Sequence, residues 1–136
     1  MKKIVVVIAH DKHKQELFSF LDQRRSWFFN RKIVATGRTA EFLEKENLQI
    51  PLSHVKKGSD GGYIQIKDMI ANNEIDLVFF FRDATIDQEY HQDIVNLLNA
   101  CDRNKIPLST NHSAAELLII GKIRMEAANQ VSLRVS

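Results

Sequence analysis

Four groups of polar residues, each just after an apolar run, could together hold an anion and move a proton. The first is His10-Asp11 with Lys14, following Lys3 to Ala9. If a helix begins early enough, His10 and Lys14 stand four apart on one of its faces. The plainer reading is a turn and capping pair with a solvated lysine. The second group is Thr36-Gly37-Arg38-Thr39. Gly37 permits close backbone approach, and amides and hydroxyls at a helix start make a phosphate cradle. Equally, Thr39 could be an N-cap that satisfies the helix's own amides. The Arg38 guanidinium could grip a phosphate bidentately or reach a carboxylate instead. The third group is the loop Lys57-Gly58-Ser59-Asp60-Gly61-Gly62-Tyr63, whose pattern suits an active-site loop. The fourth begins at Asp83, which follows the apolar strand Leu77–Phe81 and should emerge at a rim, followed by His91 and Asp93 at a helix opening. Asp93 also reads as a first-turn carboxylate favoured by the helix dipole, and His13 reads as a surface residue.

Taken in order and spacing, these stretches resemble one family. Ala9-His10-Asp11 with Lys14, Ala35-Thr36-Gly37-Arg38-Thr39, Gly61-Gly62, and Phe80-Phe81-Arg82-Asp83 followed by Thr110-Asn111 are similar to methylglyoxal synthase, over residues 2 to about 120. The resemblance implies a carbon–oxygen lyase that converts dihydroxyacetone phosphate to methylglyoxal and inorganic phosphate through an enediolate. A base removes a proton beside the carbonyl, positioned donors hold the oxygen charge, and no metal or cofactor is called for. It implies that His10 contacts the substrate and Lys14 its phosphate. It also implies an anion cradle from Thr36, Gly37, Arg38 and Thr39 with Gly58, Gly61 and Gly62, and a homo-oligomer, by resemblance a hexamer.

The chain departs from that pattern at three positions. Arg38 stands where the family commonly has a second threonine. Tyr63 stands where the family's base aspartate follows the paired glycines, and a phenol of pKa about 10 is mostly protonated at neutral pH. Losing such a base costs roughly two to four orders of magnitude in rate. Asp60, Asp83 and Asp93 are the candidate substitutes, and Tyr63 itself reads as a packing or ligand-contact residue. Tyr90 occupies the family's histidine position with His91 one place late, and one residue on a helix turns a side chain by about 100°. Two functions therefore stay open: the synthase with a rearranged acid/base set, and a catalytically impaired relative that binds a phosphometabolite or regulates.

Composition bounds the rest. With 136 residues, 44% apolar and 26% charged, the chain is expected to be one domain over 1–136 with an ordinary core. No apolar run approaches the roughly 20 residues of a membrane span, and the short apolar start reads as a buried strand, not a leader, so a cytoplasmic protein is expected. The single cysteine, Cys101, reads as a small core residue on a helix. A formal charge of +2 is too small to argue for nucleic acid. The basic and aromatic stretch from Arg24 to Lys32 reads as a helix end with a solvated basic face and aromatics packed inward.

The elements that must position these groups alternate. Strands are expected at Lys3–Ala9, Lys32–Ala35, Leu52–Val55, Leu77–Phe81 and Pro107–Ser109. Helices are expected near Lys12–Arg24, Thr39–Glu46, Gly62–Asn72 and His91–Asn104. The first and fourth strands are unbroken apolar runs, as in a parallel sheet covered on both faces. The expected fold is an α/β three-layer sandwich around a mainly parallel sheet of about five strands. Beyond Gly121 the pattern is ambiguous: Lys122 to Gln130 suits a helix, whereas Val131, Leu133 and Val135 alternate as a strand does.

Overall fold

The computed structural model describes residues 3–86 and 90–135, with the side chains of 132–135 left aside. Five strands form one sheet: β1 (Ile4–Ala9), β2 (Lys32–Ala35), β3 (Ser53–His54), β4 (Ile75–Phe81) and β5 (Leu108–Ser109). All pairings are parallel, in the order β3-β2-β1-β4-β5. Six helices surround it: α1 (Lys14–Gln23), α2 (Arg25–Phe29), α3 (Gly37–Lys45), α4 (Gly62–Ala71), α5 (His91–Arg103) and α6 (His112–Val135).

The unbroken apolar composition of β1 follows from its central place, since successive side chains enter opposite layers. Val5, Val7 and Ala9 pack with Leu77, Phe79 and Phe81 of β4 against Leu17 and Phe20 of α1, Leu43 of α3 and Ala115 and Ile119 of α6. Ile4, Val6 and Ile8 pack with Val78 and Phe80 against Ile66 and Ile70 of α4 and Ile94, Leu97 and Cys101 of α5. Phe20, Phe28, Phe79, Phe80 and Phe81 are fully buried. Each contributes roughly 1.5–3 kcal/mol relative to an exposed ring.

The structure extends or corrects several expectations. β4 begins two residues earlier than the apolar run suggested, because Ile75 also pairs with β1 through a register shift. The end of the chain is helical: α6 continues to Val135, so the alternation of its last apolar residues does not mark a strand. The basic aromatic stretch is a partly solvated face whose arginines are paired. Arg24 pairs with Glu116, Arg25 with Asp22 and Arg31 with Glu126. Phe28 is buried, whereas Phe29 is 53% exposed and so does not pack inward. Arg31 lies 4.0 Å over the Trp27 ring, whose Nε1–H donates to Glu126 Oε1 at 2.9 Å. These pairs tie α1 and α2 to α6 and neutralise much of the patch's charge. No helix among the described residues is long and apolar enough to cross a membrane.

The chain switches direction across the sheet at β1 and β4, the place where open parallel sheets bind ligands at their carboxyl ends. β1 ends at Ala9 and β4 at Phe81, which are partners in register. His10 and Asp83 lie just beyond.

Candidate functional site

A turn of 3-10 helix over Asp11–His13 separates β1 from α1. His10 is therefore extended, with φ −67° and ψ 157°, and does not share a helix face with Lys14. Two backbone links hold it at the switch point. Its own N–H donates to Phe81 O at 3.1 Å, and the Asp83 N–H donates to its Nδ1 at 2.7 Å. A backbone amide can only donate, so Nδ1 is the acceptor and the proton of the neutral ring sits on Nε2. Burial, with Lys14 and Arg82 nearby, holds the imidazole below its usual pKa, so neutral is the resting form. Nε2 is buried and has no hydrogen-bond partner among the described residues. A neutral imidazole with one unspent N–H is suited to polarising a carbonyl, since it presents a donor with no proton to lose first.

Lys14 opens α1 and is buried, its Nζ donating to Ala9 O at 2.7 Å and to Asp11 Oδ1 at 2.8 Å. The other oxygen of Asp11, Oδ2, accepts from Arg38 Nη2 at 3.0 Å. Asp11 thus bridges the two cations, and the Lys14 hydrogen bond is the main reason its carboxyl lies below the ordinary range. Of the two uses open to Arg38, the structure displays the carboxylate contact.

α3 begins at Gly37, two residues earlier than expected, with Thr36 and not Thr39 as its N-cap. The Thr36 hydroxyl donates to Thr39 Oγ1 at 3.1 Å, and Thr39 in turn links to the Ala9 backbone. Neither threonine spends its side chain on the helix amides, and no side chain caps them. The Gly37 N–H donates to Lys56 O at 3.2 Å; beyond it, the amino end of α3 keeps the dipole and later amides that favour an anion.

The glycine loop is shaped by two steric demands. Gly61 has φ +102°, which favours glycine. A Cβ on Gly62 would lie 2.0 Å from Lys56 O, so the start of α4 can sit against the segment that follows β3 only if residue 62 is glycine. α4 then carries Tyr63 into the layer below the sheet. Its ring stacks on Phe80 at 5.7 Å and 15°, and lies 5.6 Å from the Tyr90 ring. Burial pushes its phenol further above the ordinary value of 10.0, so it is no tyrosinate base at neutral pH.

Ala9, His10, Asp11, Lys14, Thr36, Arg38, Thr39, Gly58, Ser59, Tyr63, Ile86 and Tyr90 enclose a cavity of about 50 Å³. That is above the ~10–15 Å³ needed to admit a water, so the cavity is a small polar recess. The sequence-expected residues His10, Lys14, Thr36, Arg38, Thr39, Gly58 and Tyr63 come together here, whereas Gly37 lines the neighbouring cavity.

Seven expected residues do not line it: Gly37, Gly61 and Gly62 of the two turns, and Asp60, Asp83, His91 and Asp93. Asp60 is exposed and lines a separate cavity with Glu41, Glu44 and His54, because the turn over Gly58–Asp60 carries it outward. The Asp83 carboxylate turns back onto Thr85, accepting from its N–H at 3.0 Å and its hydroxyl at 2.6 Å; only the Asp83 amide reaches His10. α5 begins at His91 with Tyr90 as N-cap, so Tyr90 lines the cavity while His91 is exposed in the first turn. A shift bringing His91 inward would require a later helix start. Asp93 sits in that same first turn, where the helix dipole favours a carboxylate. Sequence reasoning misses Asp11 as a cavity residue, since its pattern suits half of a turn pair, although its place between His10 and Lys14 is the available signal. Tyr90, Ser59 and Ile86 are missed as lining residues too.

Comparison with known proteins agrees with this geometry. The MGS-like domain family matches residues 27–110. A methylglyoxal synthase of Carboxydothermus hydrogenoformans is 39% identical over 115 residues, covering 85% of this chain and 94% of that protein. Another, of Acholeplasma laidlawii, is 40% identical over 116 residues, covering 85% and 93%. The crystal structure of methylglyoxal synthase from Elizabethkingia anophelis superposes with a TM-score of 0.78 at 26% identity, over 86% of this chain and 76% of that one. The parallel sheet, the cavity at its switch point and the near full-length match to these enzymes together place the chain in the methylglyoxal synthase family.

Proposed function

We propose that this chain is a methylglyoxal synthase, a carbon–oxygen lyase that takes dihydroxyacetone phosphate to methylglyoxal and inorganic phosphate. The observation that carries the reading is His10: a neutral ring fixed by the Asp83 amide, with its Nε2–H unspent, beside a small cavity lined by Lys14 and Arg38. In this reading the phosphate lies near the amino end of α3 between Lys14 and Arg38, with Thr36, Thr39 and Gly58 around it. The proton on the hydroxyl-bearing carbon beside the carbonyl passes to solvent, since none of Asp60, Asp83 and Asp93 lines the cavity, and its electron pair places charge on the carbonyl oxygen, where the His10 N–H donates. The hydroxyl on that carbon then gives up its proton and becomes the aldehyde, the enediolate double bond shifts toward the phosphate-bearing carbon, whose carbon–oxygen bond breaks to release inorganic phosphate, and the enolate left behind is protonated at its methylene carbon to become methylglyoxal. The cycle balances without an oxidant or reductant. The protein works as one domain, in the cytoplasm, as a homo-oligomer.

A second reading, a phosphometabolite-binding relative that turns over little, is favoured by one feature. Tyr63 is buried with a raised pKa, and Asp60, Asp83 and Asp93 do not line the cavity. Incubation with dihydroxyacetone phosphate, following methylglyoxal and phosphate together, separates the two. Matched release of both products, abolished in His10→Ala, supports the synthase; absence of turnover with retained phosphate binding supports the binding relative.

A further inference from the structure

The cavity's two cations are already engaged by a carboxylate of the protein. Lys14 Nζ lies 2.8 Å from Asp11 Oδ1, and Arg38 Nη2 lies 3.0 Å from Asp11 Oδ2, so one carboxylate uses both oxygens to do what a bound phosphate would do. We propose that Asp11 is a built-in stand-in for the ligand's phosphate, and that a phosphate enters by displacing it from Lys14 and Arg38, so that Asp11 sets the affinity of the site. The proposal deepens the reading of the cavity as a phosphate site and rests on it.

The asymmetry of the three side chains says which one moves. Lys14 has only 10% of its side chain exposed and is anchored a second time by Ala9 O, so withdrawing it would strand a buried ammonium. Asp11 is 64% exposed, stands on a single 3-10 turn, and can swing into water at little cost. Arg38, 60% exposed, can follow a new partner. The exchange is like for like: two charge-assisted hydrogen bonds to a carboxylate give way to two or more to a phosphate, which has more acceptor oxygens and more charge. What remains against the ligand is the negative charge of Asp11 itself, close to any phosphate in the cavity. Asp11 therefore lowers affinity while keeping the ligand-free site from holding two unpaired cations. It is an affinity-setting residue, not a group that touches the reacting carbons.

Calorimetric titration with inorganic phosphate tests this on the full chain and on Asp11→Asn. Binding about tenfold tighter in Asp11→Asn, together with a larger rise in melting temperature on adding phosphate, is the expected result. Equal or weaker binding by a folded Asp11→Asn protein would overturn the proposal, since Asp11 would then be arranging the cations for the ligand. Absence of phosphate binding by both proteins would remove the phosphate reading of the cavity and this inference with it. The unmodified protein gives a second readout that does not depend on the variant folding. Followed by NMR, the Asp11 carboxyl should titrate higher once phosphate saturates the site, and an unchanged titration counts against displacement.

Discussion

Replacing Tyr63 by aspartate tests the site most directly, because the structure fixes what is lost and the chemistry fixes what is gained. The ring is buried, stacks on Phe80 at 5.7 Å and sits 5.6 Å from Tyr90. Truncating a buried aromatic costs about 3–5 kcal/mol, of which each aromatic pair accounts for about 0.5–1.5. Tyr63 adjoins the polar cavity, so water can enter beside the new carboxylate and the cost should lie near the lower end, about 3 kcal/mol. That is tolerable against the roughly 5–15 kcal/mol of an ordinary domain. A correctly placed base contributes about 10²- to 10⁴-fold in rate. Tyr63→Asp should therefore melt several degrees lower yet form methylglyoxal at least a hundredfold faster than the unmodified protein. The assay is release of methylglyoxal and phosphate from dihydroxyacetone phosphate, with circular dichroism and phosphate binding measured on the same sample. A folded, phosphate-binding Tyr63→Asp protein with no gain in rate would refute the assignment of the missing base to this position.

Three further outcomes follow from particular contacts. Folding holds His10 below the ordinary imidazole value of 6.5, so as pH falls the unfolded chain binds the extra proton first. Stability from this residue is full above about 6.5 and falls as pH drops toward the folded pKa; melting curves between about pH 8 and 5 should show that loss, and His10→Asn should flatten it. The carboxyl of Asp11 acts in a separate, more acidic window, below the ordinary aspartate value of 3.8. A Cβ on Gly58 would lie 2.4 Å from the Tyr63 ring, so Gly58→Ala should destabilise the parent clearly and cost much less when Tyr63 is also made aspartate; denaturant melts of the four proteins give the coupling. Glu126 accepts from Trp27 at 2.9 Å and from Arg31 at 2.6 and 2.7 Å, so Glu126→Ala should cost about 1–3 kcal/mol and raise amide exchange in the second half of α6.

What can be read from the sequence divides along physical lines. The unbroken apolar runs of β1 and β4 reveal a sheet covered on both faces, because burial on two sides leaves no position for a polar residue. Thr36-Gly37 locates the helix start to within two residues, as a turn with a small residue allows few alternatives. Side-chain direction is harder. Asp83 is expected at the rim and lies there, yet nothing in the sequence tells that its amide faces His10 while its carboxylate turns to Thr85. The same limit applies to Tyr90 and His91, neighbours that part company only because α5 begins between them. Asp11 is legible as a neighbour of His10, but its bridging of Lys14 and Arg38 joins residues 27 apart in the chain, which no local pattern encodes.

The sheet's two borders bear on how the protein behaves when crowded. β3 and β5 are each two residues long, while β1 and β4 lie inside the sheet, β1 between β2 and β4 and β4 between β1 and β5. An intruding strand would find only a couple of open backbone groups at either margin, too few to template a growing ladder. Concentrated solutions should accordingly resist seeding of β-rich aggregates for as long as the domain stays folded. The hazard is confined to unfolded chains, in which the apolar segments of β1 and β4 become available to one another.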